Sequence, residues 1–241
     1  MNLFSWLLDY PRAVFVATLT VVSATILAYM REQAREAVLW ALAPLTRRLP
    51  WNGTAHIVAS DRTRTALSSE LSIVDLHLIR ADGKLSRYRK TSVYTVNSPL
   101  SSYREGVTAS GYAKRFTSAR GAITRTVNEH GFYISEIDFG NTLSEGERLL
   151  NVYEAKLYVS FFASTEQWTQ QISFETAHLI IQIHFPAGRP PVSYKTSVLE
   201  GTHETSSKQL AQMVELYGRK SLVWDVPCPN SKLIYKLTWH W

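Results

Sequence analysis

The sequence predicts a mainly β protein. One N-terminal transmembrane helix and a helical stalk lead into a β-sandwich or β-barrel domain. Three observations predict this. Residues 13–29, AVFVATLTVVSATILAY, carry no charge. Residues 31–43, REQAREAVLWALA, are good helix formers with mixed charges. From about residue 54, segments rich in β-branched and aromatic residues recur between Gly, Pro, Asn and Ser clusters. The expected organisation is a membrane-spanning helix with an interfacial N-terminus over 1–30, a stalk and junction over 31–53, and a cytoplasmic β domain over 54–241.

The uncharged run is long enough to cross a bilayer. At about 1.5 Å per residue it spans roughly 25 Å, against ~30 Å of hydrocarbon. Its hydroxyls, Thr18, Thr20, Ser23 and Thr25, can bond back to helix carbonyls. Phe4, Trp6 and Tyr10 before it and Tyr29 at its end suit the interface. A cleaved signal peptide fits less well, because Asp9 as well as Arg12 precedes the run and no small-x-small site follows it. A buried helix is the third reading. Arg31, Arg35, Arg47 and Arg48 follow the span, whereas only Arg12 and the amino terminus precede it. That asymmetry puts the N-terminus outside and the β domain in the cytoplasm. A single cysteine, Cys228, agrees with a reducing compartment and is expected to serve packing.

Ala13, Ala17, Thr20, Ala24 and Ala28 align along one face of the span. Small residues let helices approach closely in lipid. Ala17, Thr20, Ala24 and Ala28 are therefore the expected helix or pore contact of a homo-oligomer. Chance alignment of alanines is the plain alternative. Pro44 ends or kinks the stalk, and PLTRRLPWNG is the junction.

In the β region, Asp82-Gly83 within LSIVDLHLIRADGKLSRYRK marks a hairpin. LIYKLTWHW alternates strictly, with Leu233, Tyr235, Leu237, Trp239 and Trp241 on one face. About eight to ten strands are expected. One helix is expected at 204–217, where Leu210, Met213 and Leu216 have helical spacing.

Motifs of catalysis are scarce. The chain has no Gly-rich loop ending in Lys-Ser/Thr, no Gly-x-Ser-x-Gly and no His-Glu-x-x-His. His178 and His184 could share a strand face, but a metal would need at least one further ligand, and a strand histidine is more often satisfied locally. Glu136 and Asp138 share a face too, and an acidic edge is the commoner meaning. The chain is therefore expected not to be an enzyme, with no cofactor and no metal ion.

Charge is segregated. Residues 84–125 hold nine basic residues, Lys84, Arg87, Arg89, Lys90, Arg104, Lys114, Arg115, Arg120 and Arg125, against one acid, Glu105. Tyr88, Tyr94, Tyr103, Tyr112 and Phe116 interleave with them. Residues 126–200 reverse the balance, with nine acids and four basic residues. Cations and flat rings together suit phosphates and bases. Anionic lipid headgroups or a merely solvated face fit the same composition. Alternation puts Arg87 and Arg89 on one strand face with Tyr88 opposite. Lys114 and Phe116 are expected to share a face, opposite Arg115. The expected ligand-binding set is Arg87, Arg89, Lys114 and Phe116, with Tyr88, Arg115 and Arg120 beside it.

A span with a small-residue stripe, followed by an all-β domain ending SLVWDVPCPNSKLIYKLTWHW, resembles membrane-anchored effectors of bacterial anti-phage defence. These are the Hailong-type transmembrane effector and the CBASS-type transmembrane β-barrel effector. The latter usually carries two spans. The resemblance implies an oligomeric pore or ion channel in the bacterial inner membrane. It would be controlled by a nucleotide or a single-stranded DNA oligomer made by a partner nucleotidyltransferase. The expected partners are a second copy of the chain, that ligand and membrane lipid. The alternative is a membrane-tethered non-catalytic β-sandwich adaptor that binds a protein partner or anionic lipid.

Overall fold

A computed structural model describes residues 66–241. The span, its small-residue stripe, the stalk and the junction lie outside the described residues. Among the described residues, no helix is long and apolar enough to cross a membrane. The described part is mainly β, with fifteen strands in chain order. These are β1 (Leu67–Leu78), β2 (Leu85–Val96), β3 (Leu100–Thr108), β4 (Tyr112–Ser118), β5 (Ala122–Glu129), β6 (Phe132–Leu143), β7 (Arg148–Tyr158), β8 (Thr165–Gln171), β9 (Glu175–Thr176), β10 (His178–His184), β11 (Ser193–Glu200), β12 (His203–Ser206), β13 (Gln212–Leu216), β14 (Arg219–Pro227) and β15 (Ile234–His240).

The largest sheet runs β13-β14-β10-β1-β2-β7-β4, with β9 also pairing β1. Its ladders are antiparallel except where β1 meets β10 and β9. A four-stranded sheet, β12-β11-β15-β8, and a three-stranded sheet, β3-β6-β5, complete the fold. Strict alternation decides which side chains go inward. On β2 the inward set is Ser86, Tyr88, Lys90, Ser92, Tyr94 and Val96, and Arg87 and Arg89 point out. On β15, Tyr235, Leu237 and Trp239 are buried, as the alternation of that segment predicts.

Aromatic residues join the sheets. Tyr88 of β2 meets Trp168 of β8 with ring centroids 5.4 Å apart. Tyr94 of β2 meets Tyr103 of β3 at 5.6 Å. Trp224 of β14 meets Tyr235 of β15 at 5.7 Å. Each such pair contributes about 0.5–1.5 kcal/mol beyond its buried area. One continuous core results. A buried ion pair also lies inside. The Lys90 ammonium donates to both Glu105 oxygens at 2.9 and 3.0 Å, and the Tyr94 hydroxyl donates to Oε2 at 3.0 Å. Lys90 thus belongs to the core rather than to a ligand surface.

Three local expectations are corrected. The segment expected to be helical at 204–217 is β12, a connection and β13. Tyr217 and Gly218 both have positive φ (54° and 68°) and join β13 to β14 as a two-residue turn, with Leu216 opposite Arg219. That turn type matches strand twist and fixes the hairpin against the helical spacing. Cys228 is exposed with φ 48°, so its thiol does not serve packing. Lys114 and Phe116 do not share a face. The β4–β7 register slips between Lys114 and Thr117, and Arg115 takes φ 56° there. The extra residue of a bulge switches the faces of everything beyond it.

Candidate functional site

The outward face of the largest sheet carries a transverse row of polar side chains. Cross-strand pairing sets Ser221 (β14) beside His184 (β10), His184 beside His77 (β1), His77 beside Arg87 (β2), Arg87 beside Lys156 (β7), and Lys156 beside Lys114 (β4). Six strands at ~4.8 Å spacing make this row roughly 24 Å long. The next row holds Gln182, Asp75, Arg89, Glu154 and Thr117 in the same strand order. One row further on, the face turns largely apolar, with Ile180, Ile73, Thr91 and Val152 in register.

The basic end of the row is the half formed by Arg87, Lys156 and Lys114. Arg87 Nη2 donates to Glu154 Oε1 at 2.5 Å, and Arg89 Nε lies 3.5 Å from the same oxygen. One carboxylate therefore faces two guanidiniums, and the face keeps a net positive charge. Both arginines remain about half exposed, at 47% and 45%. Beside Lys114, Tyr112 and Tyr158 stack across the β4–β7 ladder with centroids 5.0 Å apart and planes 7° from parallel. Lys114 Nζ lies 5.2 Å from the Tyr112 ring centre.

The other end is a histidine cluster. The rings of His77 and His184 stack at 4.1 Å with an interplanar angle of 22°. Asp75 Oδ1 lies 3.6 Å from His184 Nε2. His184 is buried, and its Nδ1 is 2.8 Å from the Ser221 hydroxyl. Burial holds His77 below the usual histidine range. His184, Arg87 and Arg219 lower it further, and Asp75 opposes them.

The structure brings Arg87, Arg89 and Lys114 of the expected set to one face. Tyr88 is fully buried on the opposite face. Phe116 packs inward against Tyr133 and Tyr153, at 5.8 and 6.3 Å. Arg115 sits on the bulge and is exposed. Arg120 lies in the β4–β5 connection, where its amide donates to Asn151 Oδ1 at 2.9 Å. His178 and His184 do share a strand face, but His178 pairs with Asp225 far from His184's partners. Glu136 is flanked in register by Arg104 and Arg125, so it belongs to a charged ladder with the two arginines.

Sequence reasoning missed Lys156, which lies in the acid-rich stretch, and the Asp75–His77 pair. The spacing D-x-H on a strand was the available signal, since alternate residues share a face. The parallel pairing of β1 with β10 that adds His184 had no local signal.

No protein-family model and no curated protein matches this chain. Solved structures similar to it include an M1 zinc metallopeptidase from Deinococcus radiodurans, at 12% identity and TM-score 0.42, matched over 71% of this chain and 42% of that one. Another is a protease-labelled structure from Parabacteroides distasonis, at 10% identity and TM-score 0.42, matched over 73% and 40%. The chain thus spans less than half the length of either. The expectation that the chain is not an enzyme does not stand beside these peptidase-labelled neighbours. A likeness at this TM-score carries no argument for an activity.

Proposed function

We propose that the chain is an oligomeric membrane effector of anti-phage defence. Its β domain binds a nucleotide or a short single-stranded DNA on the basic row of the outward sheet face. The N-terminal span anchors it in the inner membrane, with the β domain in the cytoplasm. The spans associate through Ala17, Thr20, Ala24 and Ala28, and a ring of them forms the pore.

The observation that supports this reading is the register of Arg87, Lys156 and Lys114 on three adjacent strands. Like charges directly opposite one another destabilise a sheet. An anionic ligand offsets that repulsion, and backbone phosphates are anions spaced along a chain as the cations are spaced along the row. Base stacking, first expected of Phe116, falls to the Tyr112–Tyr158 pair, which lies on the cationic face next to Lys114. Such stacking contributes roughly 1–3 kcal/mol per base.

The test uses the full-length protein in detergent with a labelled single-stranded DNA oligomer. Wild type binds, and raising salt weakens the binding. Arg87→Glu with Lys156→Glu abolishes it, and Tyr158→Ala weakens it with the salt dependence unchanged. In cells carrying the native neighbouring genes, the double variant changes toxicity. It falls silent if ligand opens the pore and kills constitutively if ligand holds it shut. Wild-type binding and phenotype in the double variant would overturn the reading. Binding by that face to anionic vesicles but not to DNA would replace it with a lipid-docking function.

A further inference from the structure

We propose that Asp75, His77 and His184 bind a divalent transition-metal ion, with zinc the ion that best fits the donor set. The three side chains offer two imidazole nitrogens and one carboxylate oxygen. All three donor atoms lie within 4.8 Å of one another. Around a tetrahedral zinc with bonds of ~2.0–2.1 Å, ligand atoms stand roughly 3.3–3.5 Å apart. His184 Nε2 and Asp75 Oδ1 are already 3.6 Å apart. His77 is half-buried, so its ring has room to turn the small amount needed for convergence.

The Ser221 hydroxyl is 2.8 Å from His184 Nδ1 and 3.4 Å from the Arg219 carbonyl. In the tautomer that binds metal through Nε2, Nδ1–H donates to this hydroxyl, which donates in turn to the carbonyl. That leaves a bare lone pair on Nε2 facing the Asp75 carboxylate. Two such donors 3.6 Å apart are satisfied by a proton on Nε2 or by a metal ion between them, and the third donor, His77, favours the metal ion. A buried imidazole whose far nitrogen is tied to an oxygen is also the usual way proteins orient a metal-binding histidine. The rings of His77 and His184 stack at 4.1 Å, so a single ion can reach a nitrogen of each.

The neighbouring cations do not defeat the site. Arg87, beside His77 in register, is bound to Glu154 at 2.5 Å, which offsets its charge. The donor set leaves a fourth position open for water or an anion's oxygen. Two imidazoles with one carboxylate suit zinc, cobalt or ferrous iron rather than calcium or magnesium, which prefer oxygen alone.

The experiment uses full-length protein in detergent, purified through a histidine-free tag in a Cys228→Ser background so that the exposed thiol cannot bind metal. The protein is stripped with chelator and titrated with cobalt. Visible absorption reports tetrahedral nitrogen–oxygen coordination, and native mass spectrometry counts zinc. Wild type takes up one ion per chain. Asp75→Asn and His77→Ala each weaken binding at least about tenfold. Ser221→Ala weakens it about 10–100-fold by freeing the ring. His178→Ala, which removes a histidine paired with Asp225 alone, leaves binding unchanged. His184→Ala is the severest change and the one most at risk of misfolding, so His77→Ala, at a half-exposed position, decides. Unchanged uptake by folded His77→Ala and Asp75→Asn proteins, or no uptake by wild type, would overturn the assignment.

Discussion

Lys156 stands directly opposite Arg87 across the β2–β7 ladder and directly opposite Lys114 across the β7–β4 ladder. A cation flanked in register by two others is not a stabilising arrangement. Such pairs cost on the order of 0.2–1 kcal/mol in a sheet. Glu154, one row away, relieves the Arg87 side at 2.5 Å. On the function proposed above, the row is a surface kept for binding at some expense of stability.

Lys156→Gln should consequently stabilise the folded domain by a few tenths of a kcal/mol while weakening binding of single-stranded DNA. Each phosphate contact removed should also reduce the slope of log affinity against log salt by ~0.7. Thermal unfolding and anisotropy titrations at several salt concentrations measure the two effects separately. A variant that is both less stable and equally tight in binding would contradict the prediction.

The buried pair of Lys90 and Glu105 behaves oppositely. Glu105 accepts from Lys90, from the Tyr94 hydroxyl at 3.0 Å and from the Gly106 amide at 3.2 Å. Glu105→Gln leaves the Lys90 charge buried without its counterion and should destabilise by ~3–5 kcal/mol. Replacing both residues, Lys90→Met with Glu105→Leu, should recover much of that loss, because no charge is then left in the core. Denaturant midpoints of the single and double variants decide it.

The mainly β character was legible because alternation and β-branched composition act locally, as in the last strand, where Tyr235, Leu237 and Trp239 are all buried. Arg87 and Arg89 were legible as face-sharing residues for the same reason. What was not legible depended on non-local register. A bulge at Arg115 turns Phe116 inward, and nothing in YAKRFTS announces it. His184 joins Asp75 and His77 only because β10 lies parallel to β1. The spacing of Leu210, Met213 and Leu216 imitated a helix, yet the positive-φ pair Tyr217-Gly218 closes a hairpin there. A Tyr-Gly pair is a milder turn signal than Asn-Gly, so in the sequence alone the helical spacing outweighs it.

Gly83 combines φ 71° with a close approach. A Cβ there would stand 2.1 Å from the Phe161 carbonyl oxygen. The Gly83 carbonyl accepts from the Ser160 amide at 3.3 Å and ties the β1–β2 turn to the chain just after β7. Gly83→Ala should cost more than the ~1 kcal/mol of an ordinary left-handed glycine, since the neighbour is backbone and cannot rotate away. Gly201→Ala is the control. It also has positive φ, 60°, but nothing stands within 4 Å of its added Cβ. A larger loss in melting temperature for Gly83→Ala than for Gly201→Ala is the expected result.

Glu204 makes the domain's stability depend on acid pH. Lys236 Nζ donates to Oε2 at 2.8 Å, the Ser197 hydroxyl donates to Oε1 at 2.7 Å, and Lys195 Nζ lies 3.5 Å away. The Lys236 bond, followed by that of Ser197, lowers this carboxyl from 4.5 to about 2. A depressed carboxyl binds its proton more weakly in the folded state than in the unfolded chain, so its stabilisation is complete above the unfolded value of 4.5 and fades as pH falls toward 2. Glu204 is partly exposed, at 30% of its side chain, so solvent screening keeps the contribution within the ~0–1 kcal/mol of surface pairs. Wild type should therefore lose more stability than Glu204→Gln between neutral pH and about pH 3. Lys236→Met should remove most of that difference, because the first contributor to the shift is gone. Urea midpoints of the three proteins at the two pH values test this, and parallel losses in all three would contradict it.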